Sequence, residues 1–356
     1  MKKTIFRFLA LSLALVLLLG SLTACGKYRP RKSTDEEATP VMTLGEDTVN
    51  FEVLYAFFHS ECAKIPDFSE DYLSGAEGEA RFKALLDAAV ASVSEIYAML
   101  AACRAVGIDP FSEEIDDAVT EQVKLTVEGA AVDGVIFPGY DSYDDYLEAI
   151  RKEYHMNDAV ARLMIRYGIC EERLIDYYEN QSTYTDADVT AFFMSEDCIR
   201  VVWISRSASD GGFGNEFSAE DVRAFNLDLV TSAREHLLQG NDDKACQLTT
   251  SPNPKTYLGR HTLDRAYYAE LVDTAYALPI GAVSDIMDLG SEGFHVIKRL
   301  EKSAADLDSV GVFNAVTSVY LYDLLMSDVL SRAATLLEGA TYTDAYRALT
   351  PESFKE

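Results

Sequence analysis

The chain has 356 residues and 48% hydrophobic content, which excludes a disordered protein and leaves room for two domains at roughly 150 residues each. Lys+Arg 31 against Asp+Glu 59 gives a net charge of −28. Nucleic acid is excluded as a partner on that balance, and so is electrostatic attachment to anionic lipid, because both need clustered cations.

In chain order, "MKKTIFRFLALSLALVLLLGSLTAC" opens with Lys2, Lys3 and Arg7 and continues through an apolar run from Leu9 to Leu19. Small residues then precede Cys25. This is a secretory signal over residues 1–24, too short for a comfortable membrane span. Its ending "LTAC" resembles the lipobox of bacterial lipoproteins, which implies that Cys25 is lipidated and becomes the mature N-terminus. The protein is then expected outside the cytoplasm, held to the cell membrane through Cys25. Residues 25–44, polar and bracketed by Pro30 and Pro40, are expected to form a tether.

"VMTLGEDTVNFEVLYAFFHSECAK" predicts a strand-turn-strand or strand-turn-helix opening. From Phe82, apolar residues Leu86, Ala89, Val93, Ile96, Leu100 and Cys103 recur at steps of four and three, one buried helix stripe that Gly107 and Pro110 close. Cys103 in that stripe is a small core hydrophobe. Three more helical patterns follow, so residues 45–195 read as a helical N-terminal domain. Besides Cys25, five cysteines remain, without CxxC spacing, and neither they nor the histidines have the spacing of a metal site.

The pattern changes at "CIRVVWISRS", a β-branched strand over Cys198–Ser207. A helix follows with Ser218 as N-cap and Gly240 as its stop. "TTSPNPKTYLGRH" reads as irregular, then a helix spans Arg265–Ala277, and two strands are predicted over Ala282–Asp288 and Phe294–Leu300. Residues 196–302 thus form a small α+β domain. The remaining segment, 303–356, is helical with Phe313, Val316, Tyr320 and Leu324 on one face, and is expected to pack back on the N-terminal helices. The fold class is α+β: a mainly helical domain with an α+β domain inserted.

The stretch from Ile199 to Lys302 resembles the parvulin family of peptidyl-prolyl isomerases. Its end, "DTAYALPIGAVSDIMDLGSEGFHVIKRLEK", is similar to the family's aromatic-containing turn followed by "GYHII". Ala275, Tyr276, Leu278, Gly281 and Ser284 fall on the turn, and Gly293, Phe294, His295, Val296 and Ile297 on the closing strand. The layout of lipobox, helical domain, parvulin-like unit and returning helix is similar to extracytoplasmic foldase lipoproteins (PrsA-like) and SurA-like chaperones. The resemblance implies assistance to unfolded or translocating secreted polypeptides, with no cofactor.

The family uses two histidines, a central Cys or Asp, and an apolar proline pocket. Carried over by position, the second histidine is His295, and the first falls on Trp203. The central residue falls near Ser251, and the pocket on Leu258, Tyr267 in the Tyr267–Tyr268 region, and Leu271, with Tyr276 on the turn. Three readings stay open: a foldase that isomerises X-Pro bonds, a non-catalytic peptide-holding chaperone, or a lipoprotein binding one envelope partner. His295 also has a bland reading, as a histidine that hydrogen-bonds within the sheet. Trp203 reads equally as a core aromatic or a peptide platform.

Overall fold

The structure, a computed structural model, describes residues 28–355 except 66–67, 133–134, 138, 182–183, 208–217, 252, 262–263 and 291–292, and without the side chains of 70, 132, 135–136, 219 and 264–268. The signal segment and Cys25 therefore lie outside the described residues. The chain divides into two compact units, one from residues up to 177 together with 327–356, the other from 178–326.

The first unit is mainly helical. A hairpin of β1 (Pro40–Leu44) and β2 (Asp47–Asn50) leads into α1 (Phe51–Ala63), so the strand-turn-strand alternative holds. Helix α2 (Gly78–Ala105) carries the predicted stripe, and all seven residues from Phe82 to Cys103 are buried. It starts at a glycine because a Cβ at Gly78 would lie 2.2 Å from the Leu73 carbonyl oxygen. Helix α3 (Glu113–Glu128) is capped by the Ser112 hydroxyl and stopped by Gly129 in the left-handed conformation. A two-residue hairpin, β3 (Ala131–Val132) with β4 (Val135–Ile136), interrupts the expected run of helices before α4 (Tyr143–Tyr154) and α5 (Asp158–Asn180).

The tether expected over 25–44 is not one from Tyr28 onward. Tyr28 is buried among Val123, Val127, Tyr143 and Ala161, and β1 already occupies residues 40–44. The physical reason is a buried ion pair. Asp158 accepts from Arg162 Nε (2.9 Å), from the Tyr143 hydroxyl (2.6 Å) and from the Arg31 main-chain N–H (2.6 Å), while Arg162 Nη2 donates to the Tyr28 carbonyl (2.5 Å). A polar composition read as solvated chain is instead the partner of buried charge.

The second unit is built on a four-stranded antiparallel sheet in the order β6-β5-β8-β7. Its strands are β5 (Cys198–Arg206), β6 (Lys255–Gly259), β7 (Met287–Asp288) and β8 (Phe294–Leu300). One face presents Val202, Ile204, Phe294 and Val296 to Val230, Ala233 and Leu237 of α7 (Ala219–Leu238) and Ala245 of α8 (Asp242–Cys246). The other presents Ile199, Val201, Leu258 and Ile297 to Leu271 and Ala275 of α9 (Asp264–Ala277). Ser218 caps α7 in a capping box with Asp221, as predicted.

Three expectations change here. The irregular "TTSPNPKTYLGRH" contains β6, held by pairing from Cys198↔Gly259 to Val202↔Lys255. The strand expected over 282–288 shrinks to Met287–Asp288. Upstream, Ser284 bonds Ile297 through its main chain (2.8 Å) and hydroxyl (3.0 Å) without continuing a ladder. The unit also extends beyond 196–302. Helix α6 (Asp186–Met194) and residues 310–326 of α10 (Val310–Glu338) join it, because Val189, Phe193 and Val316 share a core with Cys198. Only residues 327–356, including β9 (Thr341–Tyr342) paired to β1, belong with the first unit.

Candidate functional site

Antiparallel register decides which side chains meet on the sheet. On β5 and β8, Trp203 pairs with Ile297 and Ser205 with His295. Trp203 and His295 are therefore diagonal neighbours on one face, within reach of long side chains. The indole Nε1–H donates to His295 Nδ1 at 3.1 Å, with the rings 6.1 Å apart. Indole is a donor only, so Nδ1 must offer its lone pair, and the ring is held as the neutral tautomer with its proton on Nε2. His295 is 2% exposed, while Trp203 is half-buried.

Opposite His295, the main chain of Ser205 anchors the loop before β6. Its N–H donates to Thr249 Oγ1 (3.0 Å), and its carbonyl accepts from Thr249 Oγ1 (2.9 Å) and from the Thr250 N–H (3.1 Å). The Ser251 N–H in turn donates to Thr249 Oγ1 at 3.1 Å. These bonds set half-buried Ser251 beside Thr249, on the edge of β5 that faces β6. Thr249, which fixes that loop, has no signal in the sequence beyond membership of a polar run.

The apolar residues divide differently from expectation. Leu258 and Leu271 have no exposed surface and pack with Ile199, Val201, Ala275 and Ile297, so they form the floor of the site, not its lining. The half-buried rim on that floor is Trp203, Leu278, Met287 and Leu289. Met287 pairs with His295 across β7 and β8. Met287 has no expected role from the sequence, where alternation in "IMDLG" is its only trace.

Tyr276, expected to contact substrate, is a staple. Its hydroxyl donates to the carbonyls of Asp197 (2.8 Å) and Leu258 (3.0 Å), and Arg260 lies over its ring at 5.1 Å. Burial, with the Cys198 and Asp323 side chains adding to it, pushes its phenol well above the usual range. Tyr267 lies in α9, and its side chain is outside the described residues. Two cavities among the described residues, of about 340 and 510 Å³, belong to the first unit, lined by residues such as Arg31 and Arg151 or Glu128 and Tyr140. Among the described residues, no cluster of three His, Cys, Asp or Glu side chains is placed to hold a metal ion.

No family model and no curated protein matches this chain. Solved structures that it does match include PrsA from Bacillus subtilis, at 15% identity and a TM-score of 0.26 over 73% of this chain and 87% of that one. A second is foldase protein (PrsA) from Lactococcus lactis, at 13% and 0.27 over 89% and 99%. A third is peptidylprolyl isomerase (PrsA) from Bacillus anthracis, at 15% and 0.25 over 69% and 97%.

Proposed function

We propose that the chain is a foldase-type chaperone of the extracytoplasmic side, anchored through lipid on Cys25, whose second unit is a parvulin-like domain that holds prolyl segments of unfolded clients. The observation that carries this reading is the Trp203–His295 hydrogen bond, a polar pair on the first and closing strands where the resemblance expects two histidines. Beside it lie Met287, Leu278 and Leu289 as an apolar rim.

Prolyl isomerisation needs no covalent step. The barrier to rotating the amide is about 18–20 kcal/mol, and a site lowers it by binding the twisted amide better than either planar form. Trp203 orients His295 with its Nε2 proton defined, and the rim offers an apolar seat for the proline ring. A hydroxyl at Ser251 would stand where the family has a thiol or carboxylate.

A second reading, peptide holding without turnover, is favoured by one fact: the single indole proton is already bonded to His295. Turnover of X-Pro peptides by the mature chain, together with suppression of client aggregation, separates the two. Turnover above background that drops at least tenfold in Met287→Ala supports isomerisation. Aggregation suppression without turnover supports holding, and neither activity rejects the foldase reading.

A further inference from the structure

Cys103 on α2 and Cys170 on α5 meet in the core of the first unit, 67 residues apart in sequence. Both are fully buried, and the Cys103 S–H donates to the Cys170 carbonyl oxygen at 3.6 Å. A small core hydrophobe explains either cysteine alone, but not two buried cysteines meeting between helices far apart in the chain.

We propose that Cys103 and Cys170 form an intramolecular disulfide when the chain folds in the presence of a disulfide oxidant, locking α2 to α5. The bond forms while the helices assemble and the thiols still meet solvent. One thiolate attacks a sulfur of the oxidant, releasing one thiol and leaving a mixed disulfide; the second thiolate displaces the other half. Two protein thiols and one small disulfide thus become one protein disulfide and two small thiols, with both electrons passing to the oxidant.

The test uses the mature chain, carrying Cys25→Ser so that five thiols remain, refolded from denaturant with oxidised and reduced glutathione. After acid quench, alkylation and digestion, mass spectrometry is expected to find one cross-linked peptide joining Cys103 to Cys170, lighter by two hydrogens, with Cys62, Cys198 and Cys246 alkylated. The oxidised protein should melt about 5–10 °C above the same protein after reduction. In Cys170→Ala or Cys170→Ser, whichever folds, Cys103 should take up alkylating agent and the melting temperature should no longer respond to reductant. Full alkylation of both cysteines in the refolded wild type, glutathione left on either, or cross-links to other cysteines would overturn the proposal. None of these readouts depends on chaperone or isomerase activity.

Discussion

Trp203 has one proton to give on its indole, and the sheet register directs it to Nδ1 of His295. Replacing Trp203 with Phe keeps an aromatic ring on the rim but deprives His295, 2% exposed, of that donor. The expected cost is about 1–2 kcal/mol of unfolding free energy, read from urea denaturation, because a buried acceptor loses its partner. Nitrogen-15 NMR of the histidine rings should at the same time show His295 losing its single-tautomer pattern; an unchanged pattern would mean that Trp203 does not set it. Each residue of this pair is legible in the sequence on its own, Trp203 within a β-branched run and His295 between Phe294 and Val296. Their bond is not, because it depends on the pairing of strands 92 residues apart. Tyr276 misleads for a related reason. An aromatic on a turn reads as a contact residue until its hydroxyl is seen to bond two carbonyls.

At the scale of an element, α5 carries two kinds of buried charge with opposite consequences. Near its start, Asp158 and Arg162 satisfy each other and also main-chain groups of residues 28–31. Arg162→Met leaves Asp158 buried without its cation, so a loss of about 3–5 kcal/mol is expected in equilibrium unfolding at neutral pH. In its middle, Glu171 is 5% exposed with Oε1 lacking any hydrogen-bond partner among the described residues, and burial raises its carboxyl to about 7. A carboxyl raised in the folded state binds protons that the unfolded chain releases. Its contribution is therefore fully present below about 4.5 and is lost as pH climbs to about 7. Burial raises the neighbouring Glu172 to about 7 as well, so urea midpoints measured from pH 4.5 to 8 should fall over that window, and Glu171→Gln should remove part of the fall and stabilise the protein at pH 8 by about 2–3 kcal/mol. A wild-type profile flat between pH 5 and 7 would contradict this. The long elements were readable because their apolar stripes recur over many turns, as from Phe82 to Cys103. Short β6 and five-residue α8 were not, since each is stabilised by what it packs on: β5 for one and α7 for the other.

For the whole chain, what matters is where folding begins. Four of the six residues 27–32 are cationic in a chain of net charge −28, a composition that suggests solvated linker. Yet the Arg31 N–H and the Tyr28 carbonyl are bonded to the Asp158–Arg162 pair, and Tyr28 is buried. Composition cannot reveal this, because the buried charges that recruit the segment lie some 130 residues downstream in the sequence. If Cys25 bears lipid as proposed, two residues separate it from Tyr28, a reach of roughly 10 Å. The helical unit would then rest against the membrane surface, with no tether holding it at a distance. Trypsin distinguishes the two arrangements. With Lys27→Gln in both proteins, which removes the trypsin site ahead of the clamp, a free tether is cut at once after Arg31 and Lys32, releasing the protein from lipid vesicles. A clamped segment is cut only when its bonds open, so shedding should be slow for the wild type and roughly tenfold or more faster for Arg162→Met. Equal and immediate shedding of both proteins would show that residues 28–33 act as a tether after all.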